Sequence, residues 1–467
     1  MFRLSLLLLW MTGCHISQPE PLNVLLIYTD DQRYDTIGGL GNSEIKTPNL
    51  DALLERGTTF THAHTMGGLQ AALCAPSRSM LMTGRPLFRL DAAGDYIPDD
   101  HVMLPEILAN AGYVTFATGK WHNDRASFVR GFQTGEHIFF GGMHLPEVGG
   151  HEAPELFEFD PTGDYPIENR RQVDGYSSML FADATIDFLS EARSTDQPFF
   201  AYVSFTSPHD PRTPPEPYHS WYHPDSVSLP PNFLPAHPFD IGHLDIRGEH
   251  LRARPRTEVM VREELALYYG MVSELDAQIG RILGALEENG QSENTLIIVA
   301  GDNGLAVGSH GLLAKQNLYE HSMRVPLILA GPRIPSNERR SQLVYIFDIF
   351  PTIAELLDLT LPQTVHGESM VQWIEDPQSP GRTSIFFAYM DLQRGIRTAD
   401  GWKYIQYQVN GVHTQQLFDL NSDPYETQNL IADTSYSEKI KELRKILIQE
   451  SRYWSDPLDF SAEYWTD

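Results

Sequence analysis

Cys74 opens the run Cys74-Ala75-Pro76-Ser77-Arg78. Pro76 favours an early helical turn, so Cys74 belongs near a helix N-terminus, where backbone N–H groups favour an anion. Taken alone, a small buried cysteine before a helix is the commoner use of this residue. Two acidic pairs add weight. Asp30-Asp31 would repel each other unless a cation lay between them, and Asp302-Asn303 offers a second set of oxygen donors in the context Ala300-Gly301-Asp302-Asn303-Gly304. Taken singly, either pair could cap a helix or form a turn. Together they supply hard oxygen ligands that suit Ca²⁺ or Mg²⁺ and not a soft metal. Basic side chains complete the set: Lys120 and His122 in Gly119-Lys120-Trp121-His122, His209 in Ser207-Pro208-His209-Asp210-Pro211, and His310 and Lys315 in the stretch from Gly308 to Lys315.

Short apolar runs precede most of these groups. Val24 to Tyr28, Tyr113 to Ala117, Phe199 to Phe205, Leu296 to Ala300 and Leu327 to Ala330 read as buried strands. Helical patterns lie between them. One begins at Thr47-Pro48, with Thr47 as cap, Pro48 at the first helical position and Gly57 as the C-terminal stop. Others run from Leu104 to Gly112, from Tyr176 to Arg193 and from about Arg262 to Glu288, where Asn289-Gly290 ends the longest. This alternation predicts an α/β fold with a mostly parallel sheet covered by helices on both faces. Its polar motifs then fall at strand C-termini, where open α/β sheets bind ligands. Ten prolines between Pro208 and Pro238 exclude regular structure there and predict a rigid loop over the active edge. From about Ser384, short strand-like pieces and a helix from Tyr436 to Tyr453 predict a small antiparallel C-terminal subdomain. The expected organisation is a signal segment over residues 1–13, a catalytic domain over 21–375 and an α+β subdomain over 376–467.

The 467 residues carry 62 acidic and 34 basic side chains, a net charge of −28 that excludes nucleic-acid binding by bulk attraction. Arg3, the apolar run Leu4 to Met11 and the small residues before Cys14 read as a secretory signal. A cysteine in that position resembles a bacterial lipoprotein signal, with Cys14 as the site of a lipid tether; an ordinary signal peptide is the alternative. Either places the protein outside the cytoplasm, in the periplasm or on the outer membrane of a bacterium. The run is too short to span a bilayer.

Cys74 to Arg78, followed by Thr83-Gly84-Arg85, resembles the C-x-P-x-R signature of the formylglycine-dependent type I sulfatases, a family of the alkaline-phosphatase-like superfamily. Further motifs match in order, through Arg324-Val325-Pro326 and Phe347-Asp348 to Asp423-Pro424-Tyr425-Glu426. The resemblance implies that Cys74 is oxidised to formylglycine by a formylglycine-generating enzyme. It implies one Ca²⁺ held by Asp30, Asp31, Asp302, Asn303 and the modified Cys74. Arg78 would then support the nucleophile, Lys120 and Lys315 with the ion would neutralise the sulfuryl group, His209 with Lys315 would protonate the leaving alcohol, and His122 would deprotonate the second hydroxyl of the sulfated diol. The segment departs from a common GKWHxG pattern at Asn123-Asp124, which leaves local substrate contacts open. A sulfated carbohydrate is the expected substrate; choline or aryl sulfates, or phosphate and phosphonate esters, are the alternatives. An acidic protein needs a local basic mouth to hold a polyanion, and Arg125, Arg212, Arg394 and Arg397 are candidates, although pairing with carboxylates is the ordinary role for any one of them.

Overall fold

A computed structural model of the chain describes residues 21–195 and 197–458; the expected signal segment, residues 1–13, and Cys14 lie outside the described residues. Its centre is a nine-stranded, mostly parallel sheet. Thr295–Gly301, Asn23–Thr29, Phe199–Ser204, Val114–Lys120 and Thr134–Phe139 lie side by side and all run the same way. Beyond Thr295–Gly301, Leu327–Ala330 pairs antiparallel, then Gly57–His64 antiparallel to that, and Glu338–Tyr345 closes the edge parallel to Gly57–His64. The expected α/β class is therefore the observed one.

Both faces of this sheet are covered. Along Asn23–Thr29 the side chains alternate, with Val24, Leu26 and Tyr28 in one apolar cluster and Leu25 and Ile27 in another. A parallel strand hidden on both sides needs such an unbroken apolar run. On one face lies the long helix Glu258–Glu288, whose Leu275, Ile279, Ile282 and Leu286 join Leu25 and Ile27. The other face carries the helix Cys74–Thr83, through Met80, Leu81 and Met82.

The C-terminal strands Ser384–Tyr389, Gln393–Thr398, Trp402–Val409 and Val412–Asp419 form an antiparallel sheet, backed by the helix Ser437–Trp454. One more strand belongs to it. Gly67–Gly68 pairs parallel to Ser384–Tyr389, so the smaller sheet is tied to the segment that leads into Cys74. Gly67 has φ +102, and a Cβ there would meet the Ala388 carbonyl oxygen at 2.0 Å. Only glycine fits that crossing.

Two local expectations are corrected. Thr47 does not cap its helix by its side chain: its hydroxyl accepts from the Gly38 N–H, and the first-turn N–H groups of Asn49 and Leu50 donate instead to Asp276 of the long helix. Gly57 is not a left-handed stop. It is extended, at φ −140, and begins a strand, where a Cβ would meet the Leu329 carbonyl oxygen at 2.2 Å.

Candidate active site

Four neighbouring strands deliver the site. Reading across the sheet, Asp302 and Asn303 follow Thr295–Gly301, Asp30 and Asp31 follow Asn23–Thr29, His209 follows Phe199–Ser204, and Lys120 ends Val114–Lys120 with His122 just beyond. The shared strand direction puts all of these at one edge. Cys74, the first residue of its helix, meets that edge from one face, and no side chain caps this helix N-terminus.

The Cys74 thiol donates to Asp30 Oδ1 at 3.1 Å and accepts from Lys315 Nζ at 2.7 Å. Burial, then Asp30 and Asp302, pushes its pKa well above the ordinary range, so the unmodified side chain is a thiol. Lys315 also pairs with Asp31, and Lys120 with Asp30 and the Gly142 carbonyl. Burial opposes the charge on Lys315, yet Asp31, Cys74 and Asp30 hold it protonated well above its ordinary value. Burial likewise opposes the Asp30 carboxylate, but Lys120, His209 and Arg78 keep its pKa well below normal.

Arg78 is wholly buried behind these groups. It donates to Asp302 Oδ2 at 3.1 Å, to the Lys120 carbonyl at 2.9 Å and to Ser204. Its place is structural support of the carboxylates rather than the pocket wall. Asp302 Oδ1 accepts the backbone N–H groups of Asp31 and Asn303, at 3.0 and 2.8 Å. The Asn303 amide nitrogen donates to Asp31, while its Oδ1 is buried with no hydrogen-bond partner among the described residues. An orphaned buried acceptor beside three carboxylates is what a cation would satisfy. Among the described residues, the ligand atoms of Asp30, Asp31, Cys74 and His209 also lie within 4.8 Å of one another.

The two histidines differ. His209 Nδ1 donates to the Asp210 carbonyl at 2.8 Å, which leaves Nε2 toward the site, 3.7 Å from Asp31 Oδ2. His122 has its backbone at φ +62 and its Nδ1 buried with no hydrogen-bond partner among the described residues. Burial, then Lys120 and Arg78, holds His122 well below its ordinary pKa, so the ring is neutral and able to accept a proton.

Cys74, Asp31, His122, His209, Arg212 and Lys315 line one pocket of about 290 Å³. Asp210, Arg247, Met143 and Gly142 line it too, and the sequence had given no signal for the last three. Arg212 keeps its place on the wall but is paired with Glu264, which neutralises it. Arg394 and Arg397 are not at the mouth: the first is buried against Asp456 and the second against Glu320. They point to opposite faces of the strand Gln393–Thr398, which is buried on both sides. Arg125 lies outside this pocket, in its neighbour, and His310 is also elsewhere, stacked on Tyr319 at 3.9 Å.

Residues 22–359 match the family model described as Sulfatase. The chain belongs to the sulfatase family. It is accordingly a sulfuric ester hydrolase. Residues 308–453 match a second model, described as N-sulphoglucosamine sulphohydrolase, C-terminal. A sulfatase of Formosa agariphila is 29% identical, with 94% of this chain and 89% of the relative covered. An N-acetylglucosamine-6-O-sulfatase of Bacteroides thetaiotaomicron is 25% identical, with 97% and 91% covered. Two solved structures share the fold of this sulfatase. One is described as a complex with its substrate D-glucosamine-2-N,6-O-disulfate, with a TM-score of 0.75, 23% identity and coverage of 93% and 98%. The other is a phosphonate monoester hydrolase of Agrobacterium radiobacter, with a TM-score of 0.73, 22% identity and coverage of 94% and 97%.

Proposed function

We propose that this sulfatase removes sulfate from a sulfated carbohydrate, using a formylglycine formed from Cys74 and one bound Ca²⁺. The observation that carries this reading is the position of Cys74 Sγ at the floor of the pocket, 3.1 Å from Asp30 and 2.7 Å from Lys315. Asp30, Asp31, Asp302, Asn303 and the group at position 74 would hold the ion, and the unpartnered Asn303 Oδ1 fits that role. When present, the hydrated aldehyde supplies an oxygen nucleophile for sulfur and the ion offsets the charge of the sulfate oxygens.

The remaining work belongs to the chain. Lys120 and Lys315 place positive charge beside the anionic sulfuryl group, while Arg78 holds Asp30, Asp302 and the Lys120 backbone in register. His209, its Nδ1 proton committed to the Asp210 carbonyl, presents Nε2 to protonate the departing alcohol, with Lys315 alongside. His122, neutral and on the pocket wall, accepts a proton as sulfate leaves. A carbohydrate substrate is favoured by the relative and the structural neighbour that act on glucosamine sulfates. Maturation would need a formylglycine-generating enzyme. The segment ending at Cys14 would export the protein to the periplasm or outer membrane and give it a lipid tether; Cys14→Ser should release it from the membrane fraction, and a membrane-bound variant would exclude the tether.

Peptide mass spectrometry across Cys74 tests the reading, on protein made with and without the maturing enzyme. Replacement of the thiol by an aldehyde, with sulfate ester hydrolysis only in that preparation, is the expected result. An unmodified Cys74 in an active enzyme overturns the nucleophile. Faster turnover of matched phosphate or phosphonate esters overturns the substrate class.

A further inference from the structure

A second cavity, of about 460 Å³, adjoins the catalytic pocket and shares its wall at Gly142 and Met143. That wall is tied to the catalytic machinery, because the Gly142 carbonyl accepts from Lys120 Nζ. The cavity has the chemistry of a ligand site rather than of a packing defect. Arg125 lies over the rings of Phe140 and Phe157, at 5.8 and 5.5 Å from their centroids. Its hydrogen-bond partner is the Asp164 carbonyl, and among the described residues no carboxylate forms an ion pair with it. Arg170 lines the same cavity, its side chain 40% exposed and paired at 3.2 Å with Glu155. Leu145 and Ile167, 44% and 59% exposed, complete the rim.

We propose that this cavity is a subsite for the sugar unit next to the one that loses sulfate, and that it selects units carrying an anionic group. The proposal rests on the carbohydrate reading of the catalytic pocket. Aromatic and aliphatic walls suit the C–H face of a pyranose ring. A guanidinium above them suits a sulfate or carboxylate, which it can bind with two parallel N–H donors. Two arginines against one glutamate leave a local positive excess in a chain whose net charge is −28. A substrate anchored in the first pocket has only the Gly142–Met143 wall to cross.

The experiment compares kcat/KM for sulfated monosaccharides with that for the same unit linked to a neutral sugar, a uronic acid or a second sulfated sugar. The expected result is a preference of at least tenfold for the anionic disaccharides over the monosaccharide, absent for the neutral one. In Arg125→Ala and Arg170→Ala that ratio falls toward one. Because the ratio is internal to each protein, partial misfolding of a variant leaves it intact. Carboxylate and sulfate arms identify which anion is read. A ratio near one in the parent, or one unchanged in both variants, overturns the subsite. Should matured protein hydrolyse no sulfated sugar, the carbohydrate reading fails on its own. Calorimetric titration of the same disaccharides then decides the subsite: anion-dependent binding lost in the variants upholds it, and equal binding overturns it.

Discussion

Asp30 and Glu274 are both 0% exposed, yet their surroundings drive them to opposite protonation states. Asp30 lies at the sheet edge among Lys120, Arg78, Lys315 and His209, and is held ionised well below the ordinary carboxylate range. Glu274 lies in the middle of the helix Glu258–Glu288, with neither oxygen in a formed hydrogen bond among the described residues. Burial pushes it up to about 7; Ser178, Gln278 and Arg281 only soften the shift. Burial alone neutralises a carboxylate, and burial among cations does the reverse. The active site is thus distinguished by convergent pairing, not by depth.

The most severe way to break that contrast is Asp30→Asn. It leaves Lys120 and Arg78 facing an amide and removes one oxygen donor of the proposed metal site. Hydrolysis should fall by about a thousandfold or more, and chemical unfolding should show a loss of about 3–5 kcal/mol from the broken buried pair. A variant as stable and active as the parent would mean that the cations, not Asp30, organise the site.

Glu274→Gln tests the other side. The folded-state pKa of Glu274 is raised from 4.5 to about 7, so the folded protein keeps a proton that the unfolded chain has released. Stability therefore falls as pH rises from about 4.5 to about 7, and the cost stays in place above that. A shift of this size amounts to at most roughly 3 kcal/mol. The glutamine variant, unable to ionise, should lose this slope and be more stable than the parent at pH 8. Parallel stability curves for the two proteins between pH 5 and 8 would show that Glu274 is solvated or paired.

A smaller effect is expected at Gly142. An added Cβ would stand 2.9 Å from His122 Nε2, and the backbone of this glycine lies outside the left-handed region, so the ring must give way rather than the backbone. Gly142→Ala should lower kcat by about tenfold through misplacement of His122, the proposed proton acceptor, with little change in unfolding midpoint. An unchanged kcat would remove His122 from the proton transfers.

How much of this was legible in the sequence depended on whether the signal was local. The five apolar runs became strands, and the motifs that follow the four parallel ones converged, because parallel strands end at one edge; Leu327–Ala330 runs the other way. Gly57–His64 escaped notice because its threonines and histidines, although mostly buried, blur apolar periodicity, and because Gly57 resembles a helix stop. The fate of Arg394 and Arg397 was equally invisible. Their partners, Asp456 and Glu320, are 62 and 77 residues away, and no spacing rule links them. Met143, Arg247 and the second cavity are products of loop packing, for which sequence carries no period.

The gentlest test sharpens the comparison from outside. Asp183 pairs with Arg281 across the helices Ser177–Ala192 and Glu258–Glu288, but the two side chains are 51% and 43% exposed. Water already solvates both, so the pair gains little beyond hydration and pays for it in side-chain order. Asp183→Asn should therefore change unfolding free energy by less than about 0.5 kcal/mol at moderate salt, with activity unaffected. Arg281, freed from Asp183, would act somewhat more strongly on Glu274, so any residual effect should be a slightly shallower pH slope than the parent's. A loss comparable to that of Asp30→Asn would mean that carboxylate pairing stabilises this fold wherever it occurs, and the distinction between the sheet edge and the rest of the molecule would fall.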